Sequence, residues 1–197
     1  MTPGRDDLVR LVADPASFLN HDDPVLRRMA TTALSTVIGD ATFDTVVGLL
    51  QDEDPSVRAA AAEKLGTCGH RALPALRNPE HDPEPKVREA VVTAYGSIGA
   101  SGAIEWLVEV ARKDPDRTVR EAAAAALGAI GDDRAIDPLL EFIASGPPQV
   151  RRRALAAITV FDDPRIEPAI KRAAFDRNPG VREAAEMIVG KQLTAER

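Results

Sequence analysis

Asp54-Pro55-Ser56-Val57-Arg58 is the clearest copy of a short phrase that recurs along this chain. The other copies lie at residues 23–27, 84–88, 116–120, 147–151 and 178–182. Their arginines are separated by 31, 30, 32, 31 and 31 residues. Six copies held so close to one period are typical of a protein built by repeating a single structural unit.

Each copy of the phrase predicts the start of a helix. Asp54 is a good N-cap, because its side-chain oxygen can accept hydrogen bonds from the free amides of the first turn. Pro55 follows at the first helical position, where a missing N–H costs nothing. Small and apolar residues then recur at helical spacing, and a glycine stands where a left-handed C-terminal cap is expected. The predicted N-caps are Asp23, Asp54, Asp116 and Asn178, and the predicted glycine caps are Gly39, Gly69, Gly99 and Gly131.

A second helical pattern fills the rest of each period. Residues 135–143 match residues 103–111 position by position, whereas residues 72–76 form a visibly shortened copy. We therefore predict an all-α fold of about six helix pairs in a single domain over residues 1–197. The predicted repeats are residues 5–39, 40–69, 70–99, 100–131, 132–162 and 163–193.

The composition suits close helix packing and argues against several kinds of partner. Apolar residues are 44% of the chain and aromatic residues only 4%, and alanine, which is abundant here, has the highest helix propensity. A net charge of −6 opposes non-specific binding to nucleic acid and to anionic membranes. No apolar run approaches the length of a membrane span, and the first residues hold no signal-peptide core. We therefore expect a soluble cytoplasmic protein.

The phrase Asp-x-Asp-Pro-x-Val-Arg-x-Ala-Ala-x-x-Leu-Gly resembles the HEAT-repeat superfamily, as does the proline of the preceding helix at Pro74, Pro138 and Pro168. The likeness is to short bacterial repeats such as those of phycobilisome lyase subunits, and it covers essentially the full chain. The longer tetratricopeptide period and the ankyrin turn phrase fit worse. The resemblance implies a right-handed α-α superhelix, or solenoid, with first helices on the convex side and second helices lining the concave side.

The resemblance also implies a ladder in which an aspartate before the second helix works with the arginine within it. A half-buried guanidinium needs a partner, and the turns between helices offer carboxylates and carbonyls. His21 and Ser145 replace the aspartate in repeats one and five, so the ladder is in doubt there. The predicted structural pairs, six residues apart, are Asp52 with Arg58, Asp82 with Arg88, Asp114 with Arg120, and Asp176 with Arg182.

Residues suited to catalysis or metal binding do not converge in this sequence. Nucleophilic and metal chemistry need clustered His, Cys, Asp or Glu side chains. His21 and His81 lie in corresponding turns two repeats apart, which places them about 20 Å from each other. Cys68 occupies a core position and is expected to be a buried, inert thiol. We predict no catalytic residue, no metal site and no cofactor.

Binding residues of a solenoid are sought where exposed positions depart from the repeat. Trp106 stands where other first helices carry proline, and an exposed tryptophan is a good interface anchor; the alternative is that it lies flat across an adjacent helix. Residues 145–182 carry eight Lys or Arg against four Asp or Glu, a local net charge of +4. This segment is either a patch for an acidic partner or an ordinary solvated face. The candidate partner-binding residues are Trp106, Arg151, Arg152, Arg153, Leu155, Lys171 and Arg172.

Three functions fit these observations. The first is a non-enzymatic protein-protein interaction scaffold or adaptor that binds another protein through the concave second-helix face or the outer ridge. The second, implied by the resemblance, is a bilin lyase-like or chaperone-like maturation subunit that holds a chromophore or a client protein. The third is a HEAT-like nucleic-acid-binding protein, which the acidic charge disfavours. Fold alone does not choose among them.

The two terminal helices leave apolar residues with a neighbour on one side only. Leu8, Leu11 and Val12 lie at one end, and Met187, Ile188 and Leu193 lie at the other. Self-association of the chain through these ends is therefore expected to be possible.

Overall fold

The computed structural model describes residues 4–190, apart from the side chain of Pro79. This range contains twelve α-helices and six short 3-10 helices, and it contains no strand. The α-helices follow one another as six pairs, one per predicted repeat. The all-α helix-pair class predicted from the sequence is confirmed. Leu193 and the end of the sixth predicted repeat lie outside the described residues.

The chain divides into two compact units between Ile98 and Gly99, with three helix pairs in each. The prediction of a single domain stays a prediction. In the first unit, each second helix packs beside the next, α2 on α4 and α4 on α6. The helices of this unit are α1 (Arg5–Ala13), α2 (Pro24–Ala33), α3 (Asp40–Gly48), α4 (Pro55–Gly66), α5 (Leu73–Leu76) and α6 (Pro85–Ile98).

The second unit repeats this arrangement, and none of its first helices is as short as α5. Its second helices pack in order, α8 on α10 and α10 on α12, and each also packs on the first helix of its own pair. Leu127, Leu139 and Leu155 are completely buried between these helices. The helices are α7 (Ile104–Lys113), α8 (Arg117–Ile130), α9 (Ile136–Ser145), α10 (Pro148–Ile158), α11 (Ile166–Ala173) and α12 (Pro179–Val189).

The structure contains the four side-chain N-caps that the sequence predicts. Asp23 accepts from the amide of Val25, and Asp54 accepts from the amide of Ser56. Asp116 and Asn178 each accept from two amides of the following turn. These caps satisfy donors that a helix start otherwise leaves without partners.

The predicted glycine caps hold at three of four positions. Gly69, Gly99 and Gly131 have φ of +69°, +73° and +69°, in the left-handed region that glycine enters without steric cost. Gly39 differs, because its φ of −68° is extended and it is the N-cap of α3. Helix α2 ends earlier, at Ala33, and the ammonium of Lys64 donates to the carbonyl of Leu34 at 2.7 Å. A lysine ammonium therefore satisfies one carbonyl just beyond this helix end, where no left-handed glycine stands.

Cys68 is half-buried, not fully buried as its core position predicted. Helix α4 ends at Gly66, two residues before it, so Cys68 lies in the turn beyond the helix. Its Sγ lies 3.5 Å from the carbonyl oxygen of Lys64.

No helix within residues 4–190 combines the length and the apolar character that crossing a membrane requires.

Candidate interaction surface

A row of arginine–aspartate pairs joins consecutive second helices along the turn edge of each unit. Arg27 donates through Nε and Nη2 to the two carboxylate oxygens of Asp52, at 2.7 and 2.8 Å. Arg58 holds Asp82 in the same way, at 2.7 and 2.9 Å. Planar two-point pairing of this kind fixes geometry as well as adding energy. Each pair therefore sets the position of one repeat against the next.

The second unit has one such pair, between Arg151 and Asp176. The Nε–Oδ2 and Nη2–Oδ1 distances are 2.8 and 2.6 Å. The side chain of Arg151 is only 5% exposed. The sequence placed Arg151 among the partner-binding residues, and the structure instead uses it to join α10 to the turn before α12.

The structure joins the predicted ladder residues differently from the sequence interpretation. The sequence paired Asp52 with Arg58, six residues later in the same repeat. In the structure the carboxylate of Asp52 binds Arg27 of the preceding repeat, while Arg58 Nη1 donates to the backbone carbonyl of Asp52 at 2.8 Å. The guanidinium has two edges, and the edge facing its own turn meets only carbonyl oxygens.

A backbone contact to the preceding turn recurs at every repeat arginine, six residues back in five repeats and five residues back at Arg151. Arg27 donates through Nη1 to the carbonyl of His21, and Arg151 donates to that of Gly146. Backbone carbonyls need no particular side chain, so this half of the ladder survives in repeats one and five. The equivalent contacts elsewhere are Arg88 to Asp82, Arg120 to Asp114, and Arg182 to Asp176.

The ladder carboxylates are charged because hydrogen bonds outweigh their burial. Burial alone would raise the pKa of Asp52, but the hydrogen bonds from Arg27 and from the amide of Asp54 lower the pKa below its usual value. The pKa values of Asp82 and Asp176 are lowered in the same way, against burial, by Arg58 and Arg151. Arg27 and Arg58 have raised pKa values, chiefly through the hydrogen bonds that they donate to their aspartates. The ladder is therefore a set of permanent ion pairs at neutral pH.

An open groove of about 430 Å³ runs across the three second helices of the first unit. Its floor is formed by Ala59, Ala60 and Ala90, which are at most 9% exposed. Small floor residues leave room between the helices. Polar and charged side chains complete the lining: Arg28, Thr32, Ser56, Glu63, Lys86, Glu89 and Thr93.

The groove residues stand at fixed offsets from the ladder arginines. They lie two residues before, and one, two or five residues after, Arg27, Arg58 or Arg88. The sequence interpretation did not name them, since it looked for departures from the repeat and these are regular repeat positions. Counting offsets along a helix of 3.6 residues per turn could have found this face.

In the second unit, the predicted basic residues lie on two different helices. Leu155 is completely buried in the core, so it is not available to a partner. Arg152 and Arg153 are exposed on α10, and Arg152 lies 3.5 Å from Glu121. The other two cations, Lys171 and Arg172, are exposed on α11, where Lys171 pairs with Glu167 at 2.8 Å.

Trp106 lies on α7 and is half-buried. Its neighbours Leu107 and Val108 are both buried, and Glu105 is exposed. Trp106 therefore sits at the border between the core-facing side and the solvent-facing side of this helix.

The described residues hold no group of three His, Cys, Asp or Glu side chains placed to bind a metal ion. His21 instead has structural contacts, because its Nδ1 accepts from the amide of Asp23 at 3.0 Å and its ring stacks on Phe18. His70 and His81 are exposed.

Comparison with known families agrees with the repeat geometry. The HEAT repeat family matches residues 12–79, 73–156 and 136–195, which together span almost the whole chain. The chain belongs to the HEAT-repeat family. Repeats of this kind are typically non-catalytic scaffolds that present extended binding surfaces. No curated protein matches this HEAT-repeat sequence.

Several solved structures share the fold of this HEAT-repeat chain. One chain in the structure of the complex of CpcE and CpcF of phycocyanin lyase from Nostoc sp. PCC7120 is 26% identical in sequence to this chain. The match has a TM-score of 0.64 and covers 93% of this chain and 76% of that chain. YibA of Escherichia coli is 19% identical, with a TM-score of 0.65 over 94% and 74%. A designed armadillo repeat protein in complex with the peptide (KR)4 is 17% identical, with a TM-score of 0.59 over 90% and 98%.

Proposed function

We propose that this chain is a non-enzymatic protein-protein interaction scaffold or adaptor, and that the groove across α2, α4 and α6 binds its partner. The groove carries this proposal. It combines a floor of small, buried residues with a border of charged side chains, which is the arrangement that desolvates an anchor at its centre while keeping polar contacts at its edge. Repeat proteins of this architecture bind through such extended surfaces.

The charged residues of the groove are suited to selecting the partner. Arg28, Glu63 and Lys86 are exposed, and Glu89 is half-buried. Both signs of charge stand along one groove, so a partner needs a matching order of charges and not merely an opposite net charge. Complementary charge at an interface edge contributes specificity and association rate more than affinity.

Capture from a lysate of the source organism tests the proposal. The bait is the wild-type chain, beside a variant with Arg28→Glu and Lys86→Glu, which reverses two groove charges. Arg77→Glu is the control, because Arg77 is exposed and lies outside the groove lining. We expect a specific protein to be retained by the wild type and the control, and to be at least about tenfold depleted with the groove variant. Retention of no specific protein by a monodisperse wild type would contradict the scaffold function.

A maturation subunit is the second candidate, and the likeness to the CpcE–CpcF complex favours it. Such a protein would hold a chromophore or a client apoprotein. Co-expression with a candidate pigment and apoprotein, followed by absorbance of the purified client, separates the two functions. Pigment attachment that depends on this chain would establish the maturation role, and a partner retained without any pigment would favour the adaptor.

Nucleic-acid binding is the third candidate and is the least supported. The net charge of −6 and the mixed charge of the groove both oppose attraction to a phosphate backbone. Micromolar affinity for DNA, with a steep loss of affinity as salt rises, would revive it.

A further inference from the structure

The groove across α2, α4 and α6 has a floor and two flanks. The floor follows the positions one and two residues after the ladder arginines, and it is formed by Ala59, Ala60 and Ala90. One flank follows the positions two residues before those arginines, and the other follows the positions five residues after them. Residues three or four apart share one face of a helix, so each flank lies about one turn from the floor. A segment lying on the floor therefore crosses all three helices between the two flanks.

Charged side chains stand at both ends of the floor and on both flanks. Arg28 lies at the α2 end and Glu89 at the α6 end, each one residue after a ladder arginine. Lys86 lies on the flank nearer the helix starts, and Glu63 lies on the opposite flank. Among the described residues, no hydrogen bond or ion pair engages these four side chains. Their charges are therefore available to an occupant of the groove.

Hydrogen-bond donors for the backbone of an occupant are scarce in the groove. The alanines of the floor have none in their side chains. The hydroxyl of Thr32 donates to the carbonyl of Arg28 at 3.0 Å, and the hydroxyl of Ser56 donates to the carboxylate of Asp54. An extended segment would leave backbone carbonyls unpaired on this floor, which costs free energy. A helix pairs its backbone groups internally, so it can lie there without that cost.

We propose that the groove binds an amphipathic helix of a partner protein. The apolar face of that helix rests on the alanine floor, with an acidic residue against Arg28 and a basic residue against Glu89. Neighbouring helices pack about 8–10 Å apart, so these two charges are separated by about 16–20 Å. A helix rises about 1.5 Å per residue, which places the acidic and basic residues of the partner about 11–13 positions apart. This inference rests on the scaffold function proposed above.

The flanks fix how the bound helix is rotated about its own axis. Lys86 favours an acidic side chain on one side of the helix, and Glu63 favours a basic side chain on the other. A helix rotated or reversed would bring like charges together, and such contacts suppress wrong partners. The order of charges therefore defines one class of partner helix.

Selection from phage-displayed random peptides, with the whole chain as bait, tests this assignment without a known partner. Peptides of about 16 residues are long enough, because as helices they span about 24 Å. Enriched peptides are expected to carry apolar residues at i, i+3, i+4 and i+7, with an acidic and a basic residue about 11–13 positions apart. Circular dichroism should show that a synthetic copy of the most enriched peptide becomes more helical when the chain is added.

Charge reversal locates the bound peptide. Arg28→Glu and Glu89→Lys should each weaken binding of the synthetic peptide at least about tenfold. Replacing the acidic residue of the peptide with lysine should restore most of the affinity for Arg28→Glu, a coupling expected between residues in contact. Arg77→Glu and Asp44→Lys are the matched controls, because both side chains are exposed and lie outside the groove lining. Both controls should bind the peptide as the wild type does.

Three results would overturn the helix assignment. They are the absence of any enriched peptide, enriched peptides with proline or strand-like alternation in place of a helical pattern, and binding that neither groove reversal weakens. A lysate partner that needs the groove, together with extended peptides from the display, would keep the scaffold function and remove the helix. Helical binders without any lysate partner would keep the helix preference of the groove and contradict the scaffold function, so the two failures are distinguishable.

Discussion

At the scale of single residues, Asp52, which lies six places before Arg58, acts in two directions. Its backbone carbonyl accepts from the arginine of its own repeat, and its carboxylate accepts from the arginine of the repeat before. The carboxylate also caps its turn, because Asp52 accepts from the amide of Asp54 at 2.9 Å. One side chain thus stabilises a turn and a junction between repeats.

Replacing Asp52 with asparagine tests how much the junction depends on this charge. Asp52→Asn keeps the shape but weakens two charge-assisted hydrogen bonds around a largely buried guanidinium. We expect the free energy of unfolding, measured in urea, to fall by about 2–3 kcal/mol. Asp44→Asn is the control, because Asp44 is exposed; it should change stability by less than about 0.5 kcal/mol. Equal effects of the two substitutions would contradict the ladder's structural role.

The lowered pKa values of the ladder aspartates predict a dependence of stability on acid. Asp52, Asp82 and Asp176 have lower pKa values folded than unfolded. Their contribution is therefore fully present above the unfolded pKa of about 3.9 and is lost as pH falls through the folded pKa. Urea unfolding at a series of pH values from about 6 to 2 should show this loss below about pH 5. Asp52→Asn should show a shallower loss than the wild type, and an identical slope would be evidence against the pair.

At the scale of helices, two glycines decide how closely second helices approach. A Cβ on Gly128 of α8 would lie 2.7 Å from the Cβ and the carbonyl oxygen of Ala157 on α10. A Cβ on Gly66 of α4 would lie 3.0 Å from Ala94 on α6. A side chain at either position would collide with the neighbouring helix and force the two helices apart.

Gly128→Ala is expected to destabilise the second unit in spite of the higher helix propensity of alanine. The overlap with Ala157 should cost about 1–3 kcal/mol of unfolding free energy in urea. Gly48→Ala is a matched control with the opposite sign, because Gly48 is helical and a Cβ there meets nothing within 4 Å. It should gain about 0.5–1 kcal/mol. A stabilised Gly128→Ala would show that the two helices can separate freely.

The missing cap of α10 predicts a stabilising substitution. Pro147 has φ −55° and ψ 151°, close to the extended geometry of the N-caps at Asp54 and Asp116. Pro147→Asp should therefore cap the first turn and raise the unfolding free energy by about 1 kcal/mol, as measured in urea. Pro147→Ala is its comparison variant, since it removes the same proline without adding a cap. Equal stability of the two would mean that the first turn needs no acceptor.

At the scale of the whole molecule, each unit holds three helix pairs and a core of its own. Stability in such arrays is approximately the sum of the repeats and their nearest-neighbour contacts, and three repeats are about the minimum for folding. The second unit meets this number with continuous packing of α8, α10 and α12.

A fragment of residues 99–197 is accordingly expected to fold without the first unit. Circular dichroism should show a helical spectrum and a cooperative loss of signal on heating, at a lower midpoint than for the full chain. The fragment with Gly128→Ala is a useful comparison, because it should melt lower still. A fragment with the spectrum of an unfolded chain would contradict the independence of this unit's core.

The sequence by itself determined the repeat, the helix pairs and the N-caps. The signals that reveal them are local: a period near 31 residues, proline at the first helical position, and an Asp or Asn before it. The N-caps form through hydrogen bonds within a few residues, so they do not depend on the rest of the fold. The shortened α5 was also visible, because only residues 72–76 match the first-helix pattern in that repeat. The role of Gly39 was not visible, because Gly39 is the N-cap of α3 and not the C-cap of α2. The carbonyl of Leu34, just after α2, is bound instead by Lys64 of α4.

Only the tertiary structure decided which arginine meets which aspartate. Sequence spacing can place two residues in one turn, but it cannot say which edge of a guanidinium faces the next repeat. For the same reason Arg151 and Leu155 looked available to a partner and are buried instead. The groove passes over Ala59 and Ala90, and the buried Nε of Arg120 has no hydrogen-bond partner among the described residues. Both features arise where separate helices approach each other, which depends on packing across repeats and not on any one stretch of sequence.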